Sequence, residues 1–109
     1  MSRSGRDPHL AMQMTAELSP SHAKRLLAER ADAQFIDVRE PHERLARSIP
    51  GTLHIPLGHL PRHLHRLDPA RPVIVHCKSG VRSAAACELL RQMGFAEVYN
   101  LRGGIDAWD

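Results

Sequence analysis

The sequence predicts an α/β fold: one domain with a central, mainly parallel sheet of about five short strands and helices on both faces. Three observations point there. Strand-like and helix-like segments alternate along most of the chain, and that alternation implies a parallel sheet covered by helices. The run PVIVHC at residues 72–77 is apolar almost throughout, as a strand buried on both faces reads. The 109 residues, 42% apolar and 25% charged, suffice for one domain with its own core and leave no room for a second.

The elements follow in order. Residues 1–14 (MSRSGRDPHLAMQM) mix Ser, Gly, Arg and Pro without a period and read as a flexible leader, so the domain is expected over residues 15–109. Two arginines near the start are not followed by an apolar stretch, which argues against a secretory signal and for a cytoplasmic setting. Ser19-Pro20 reads as a helix start, with Ser as cap and Pro in the first turn. That helix runs through Ala23, Leu26 and Leu27 to about Glu29. Residues 34–38 (QFIDV) form a first strand of the sheet. Pro41 opens a short helical piece, PHERLA, closed by the turn at Pro50-Gly51. Residues 52–55 make a second short strand, bounded by Pro56. Leu57, Leu60, Leu64 and Leu67 then recur at helical spacing until Asp68-Pro69 stops them. After the PVIVHC strand, residues 83–93 predict a strong helix capped by Ser83 at its start and Gly94 at its end. Residues 98–101 are the last strand, and Gly103-Gly104 breaks it before the turn IDAW.

Composition narrows the function. The net charge is +3 and the basic excess is almost all arginine, 13 Arg against two Lys. No block of basic residues occurs and only four aromatics exist to stack on bases, so nucleic acid is not the expected partner. A small anion or an acidic protein suits this surface better. No apolar run approaches the roughly 18 residues of a membrane helix. Cys77 and Cys87, ten positions apart, match neither a zinc pair, a CxxC redox pair nor a disulfide framework. His54, His59, His63 and His65 cluster, and His59 and His63 share a helical spacing that can bind zinc. No third ligand of the right type lies near, so a solvated basic face is expected, with no metal and no cofactor.

In open α/β sheets ligands bind beyond the carboxyl ends of strands, where a loop enters the next helix. That position reads His76-Cys77-Lys78-Ser79-Gly80-Val81-Arg82-Ser83. Gly80 permits a sharp backbone turn, and successive N–H groups then converge beside the positive end of the helix as an anion nest. An ordinary thiol pKa is about 8.5, and a shift of two units needs only about 2.7 kcal/mol. A helix terminus offers up to about 2 kcal/mol, with Lys78 and Arg82 expected to supply the rest. Cys77 is therefore the candidate nucleophile, against the alternative of a small buried hydrophobe. Cys87 lies on the helix beside Ala86, Leu89, Leu90 and Met93 and reads as packing. His76 adjoins Cys77, yet strand neighbours point to opposite faces, which makes it a poor base.

These residues carry a resemblance. Over about residues 15–108 the chain resembles the rhodanese-like domains, the sulfurtransferase family, in the blocks IDVREPHE, IPG, HIPL, VIVHCKSGVRSA, GF and YNLRGGIDAW. The CKSGVRSA loop, with Arg47-Ser48 before IPG, looks most like rhodanese domains fused to E1-like enzymes that activate sulfur carriers. The resemblance implies that Cys77 takes sulfane sulfur from thiosulfate or a protein persulfide and passes it to a thiophilic acceptor. It implies a substrate loop of Lys78, Ser79, Gly80, Val81, Arg82 and Ser83, with Arg82 and Lys78 meeting the sulfonate of thiosulfate. Relatives acting on phosphate or arsenate carry a loop one residue longer, which counts against a phosphatase. Asp37 and Arg39 occupy the family's DVR positions as supporting residues, with an Arg39–Glu43 pair expected to lock the following turn. Trp108 and Gly103-Gly104 are expected to be fold elements. Two alternatives to the enzyme are a non-catalytic docking module and a persulfide relay serving an acidic sulfur-carrier partner.

Overall fold

The computed structural model describes residues 16–109; the expected leader at residues 1–14 lies outside them. In chain order the elements are β1 (Ala16–Leu18), α1 (Pro20–Glu29), β2 (Gln34–Asp37), α2 (Pro41–Ala46), β3 (Leu53–His54), two 3-10 helices η1 (Leu57–Arg62) and η2 (Leu64–Arg66), β4 (Val73–His76), α3 (Val81–Gln92), β5 (Val98–Leu101) and a 3-10 turn η3 (Gly104–Ala107). The five strands form one sheet in the order β1-β5-β4-β2-β3, and every pairing is parallel. β4 is central, with Ile74 opposite both Phe35 and Tyr99.

Alternation along the strands sorts the core into two halves. Val73, Val75, Ile36 and Val38 face one side, where they meet Ala86, Cys87 and Leu90 of α3 and Leu60 of η1. Ile74, Phe35 and Leu101 face the other, against Ala23 of α1 and Ile105 of η3. β4 is buried on both sides because each half needs one of its faces. Burying each large aliphatic side chain in these halves contributes about 1.5–3 kcal/mol.

Local chemistry explains most boundaries. The Ser19 hydroxyl accepts from the His22 amide at 3.2 Å and caps α1, with Pro20 in the first turn. In α2 the Glu43 carboxylate folds back to accept from the Glu40 amide at 2.9 Å. Two expectations need correction. Residues 57–67 are not an α-helix but two 3-10 pieces: Pro61 lies inside η1, where it lacks an N–H and its ring blocks a regular helical turn. Ser83 does not cap α3, which begins two residues earlier with Gly80 as its cap at φ 112°. One strand was not anticipated: β1, three residues long, pairs with β5 at the sheet edge. Of the clustered histidines, His54 turns inward to the Arg39 carbonyl at 2.7 Å, whereas the rings of His59, His63 and His65 lie side by side. Among the described residues no group of three metal-ligating side chains comes together, and no helix is long and apolar enough to cross a membrane.

Candidate active site

Cys77 follows the end of β4 at the carboxyl edge of the sheet, and residues 78–80 turn the chain into α3. The direction of the loop's peptides is set from outside it. The carbonyls of Cys77 and Lys78 accept from the amides of Ile105 and Asp106 at 2.9 and 3.1 Å. η3 approaches so closely that a Cβ on Gly104, at φ 59°, would fall 2.4 Å from the Lys78 oxygen and 2.6 Å from the Cys77 oxygen. With those oxygens held toward η3, amides of the loop face the sulfur. The Gly80 N–H donates to Cys77 Sγ at 3.1 Å, and the Ser83 hydroxyl lies 3.2 Å from the same atom.

Asn100, on β5, completes the cradle. It is buried, its Nδ2 donates to the Gly80 carbonyl at 3.0 Å, and its Oδ1 accepts from the Ser83 hydroxyl at 2.6 Å. One amide thus fixes both the turn at Gly80 and the hydroxyl beside the sulfur. A polar residue inside the otherwise apolar strand VYNL is the sequence signal that could have found it.

The electrostatics work differently from the expectation. Burial pushes the Cys77 thiol up, but hydrogen bonds from Ser83 and from the amides of residues 83, 80 and 79 outweigh it, and the net shift is downward. Lys78 is turned to the carboxylate of Asp106 at 2.9 Å, and Arg82 is clasped by Glu43 in a two-pronged pair at 2.7 and 2.8 Å. Each cation therefore has its own anion, and the local donors, rather than free lysine and arginine charge, are what shift the thiol downward. Cys87 lacks such donors, and burial pushes it up to about 12. It is a packing residue on the buried face of α3, as expected.

The expected Arg39–Glu43 side-chain pair does not form, because Asp37 and Arg82 claim the two groups. Arg39 gives Nε and Nη2 to the Asp37 carboxylate at 3.0 and 2.9 Å, and its other donors reach the carbonyls of Glu43 and Arg47 at the end of α2. The pair is buried and locks α2 to the end of β2 without touching Cys77. His76 is also buried: its Nδ1 is 3.0 Å from the Cys77 carbonyl, its Nε2 has no hydrogen-bond partner, and neither nitrogen contacts the sulfur. Val81 is exposed in the first turn of α3. Beside the loop lies a cleft of about 220 Å³, with Glu43, Arg47, Lys78, Ile105 and Asp106 among its walls.

Comparison with known proteins agrees with this architecture. The family profile described as Rhodanese-like domain matches residues 19–109. A protein named sulfurtransferase from Allochromatium vinosum is 37% identical over 95 residues, covering 87% of this chain and 89% of its own. The thiosulfate sulfurtransferase GlpE of Coxiella burnetii is 32% identical over 82 residues, or 75% of this chain and 77% of that protein. The crystal structure of a rhodanese-like domain protein from Staphylococcus aureus superposes with a TM-score of 0.79 at 30% identity, over 86% of this chain and 91% of that one.

Proposed function

Because the chain belongs to the rhodanese-like domain family, we propose that it is a sulfurtransferase carrying sulfane sulfur on Cys77. The observation that carries this is the sulfur's setting: Sγ rests 3.1 Å from the Gly80 amide and 3.2 Å from the Ser83 hydroxyl, at the end of a buried strand. Such donors favour the thiolate, which is the nucleophilic form.

With thiosulfate as donor, the thiolate attacks the outer sulfur, the S–S bond of thiosulfate breaks, and sulfite departs with the electron pair. Cys77 then bears a persulfide whose terminal sulfur is held by the same amides. A thiophilic acceptor attacks that sulfur, the new S–S bond breaks, and the Cys77 thiolate is restored. Cyanide in this role leaves as thiocyanate. Sulfur is passed on without net oxidation of the enzyme, and no cofactor enters the cycle. A protein persulfide serves the first half equally well. The net charge of +3 favours an acidic protein as donor or acceptor, in the manner of a relay to a sulfur carrier. A purely docking role is less favoured, since docking needs no thiol set among amide and hydroxyl donors.

The test is cyanolysis. Thiosulfate and cyanide should yield thiocyanate, and thiosulfate alone should add the mass of one sulfur atom to the protein at Cys77. Cys77→Ser should abolish both. Thiocyanate formation by the serine variant above the uncatalysed rate would refute the assignment.

A further inference from the structure

Arg82, in the first turn of α3 after the cysteine loop, is not free. Its two terminal nitrogens donate to the two oxygens of Glu43 at 2.7 and 2.8 Å. Glu43 is held on a second side, because the Glu40 amide donates to its Oε1 at 2.9 Å as part of the fold-back that starts α2. The carboxylate is mostly buried, its side chain only 18% exposed. Two-pronged guanidinium–carboxylate pairs are the strong kind. By contrast, the Lys78–Asp106 pair on the other side of the cleft is largely exposed, 63% and 48% for the two side chains, and weakly held.

The consequence falls unequally on different donors. Thiosulfate is a dianion whose sulfonate oxygens seek the same fork of N–H groups that Glu43 occupies. To seat on Arg82 it must displace a carboxylate already fixed by two partners, and it meets that carboxylate's charge in the cleft. An organic persulfide, R–S–S–H, brings its sulfane sulfur to Cys77 with no sulfonate and needs nothing from Arg82. Its transfer is balanced without a co-reactant: the Cys77 thiolate attacks the outer sulfur, the donor's S–S bond breaks, and R–S⁻ leaves, with the proton staying on the sulfur transferred.

We propose that Glu43 is a specificity-determining residue, acting through Arg82 as an internal counter-anion that selects persulfide donors over oxyanion-bearing ones. It rests on sulfur transfer through Cys77, and the experiment separates the two. The rate constant for loading sulfur onto Cys77 is measured by mass spectrometry with thiosulfate and with an alkyl persulfide bearing no other charge. Glu43→Gln keeps an oxygen for the Glu40 amide while removing the charge, so α2 stays capped. The ratio of the thiosulfate to the persulfide rate constant should rise at least about tenfold in this variant. Glu43→Asp, whose shorter arm cannot make the two-pronged pair while holding the Glu40 amide, should move the ratio the same way by less. General loosening of the loop would slow both donors and leave the ratio where it was, and an unchanged or lowered ratio in both folded variants overturns the assignment. Failure of both donors to load Cys77 in the unmodified protein would instead remove sulfur transfer itself.

Discussion

Ser83 has one hydroxyl proton and two acceptors within reach, Asn100 Oδ1 at 2.6 Å and Cys77 Sγ at 3.2 Å. With the thiol protonated, the hydroxyl donates to Asn100 and accepts from S–H. Once the thiol ionises, the hydroxyl turns to the sulfur and stabilises the charge. Removing it with Ser83→Ala withdraws a strong donor from the charged form and only a weak S–H acceptor from the neutral one, so the thiol pKa must rise. A hydrogen bond to a charged group contributes about 1.5–3 kcal/mol, which corresponds to about one to two pH units. The rate of Cys77 alkylation against pH should show its midpoint displaced upward by about that amount, and the acid limb of sulfur transfer should move with it. This residue was readable as part of the loop. Its partner Asn100 was not, because nothing local ties position 100 to position 83; only the adjacency of β5 and β4 brings them together. Glu43 escaped for the same reason, having been assigned to Arg39, its neighbour one helical turn away in sequence, when the fold gives it to Arg82.

Among elements, one of the shorter ones has the largest local effect. η3 is four residues long, yet its amides hold the two carbonyls that begin the loop. Gly104→Ala should therefore cost far more than Gly80→Ala, although both positions have positive φ. At Gly80 the nearest atom to an added methyl is 3.7 Å away, so the cost is backbone strain alone, about 1–2 kcal/mol. At Gly104 the methyl would overlap two carbonyls, and η3 must lift from the loop. Urea unfolding should rank the two variants, with Gly104→Ala losing sulfur transfer even where it remains folded. The elements themselves were mostly legible, since the four strands placed from their apolar runs and the three α-helices announce themselves by local patterns. Two failed for physical reasons. β1 is only half-buried at the sheet edge and too short for a pattern. The leucine spacing of residues 57–67 satisfies a helix, but Pro61 denies it the backbone.

At the scale of the whole molecule, Asp37 joins the sheet to α2. Its buried carboxylate accepts from the Arg39 backbone and side chain and from Arg44, which also binds Thr52 beside β3. Burial alone pushes this carboxyl up, but the Arg39 hydrogen bonds prevail and hold it below the usual carboxylate range. Its contribution to stability is therefore present above the unfolded pKa of about 3.9 and is lost as pH falls through the lower folded value. Asp37→Asn strands the buried Arg39 guanidinium without a counter-charge and should lower stability by about 3–5 kcal/mol near neutrality. Urea midpoints measured down the acid range should show a smaller acid-induced decline in the variant than in the unmodified protein.

The contacts of η3 with the cysteine loop also bear on how the protein comes into being. The segment that orients those carbonyls follows the cysteine in the chain and reaches it only by docking, so the cradle is a product of folding and not of the loop alone. A chain in which this turn is undocked bears only a sluggish sulfhydryl, poorly reactive toward peroxides or stray disulfides. Chemical competence thus arrives with the docking of this turn, and a chain not yet folded is spared premature modification.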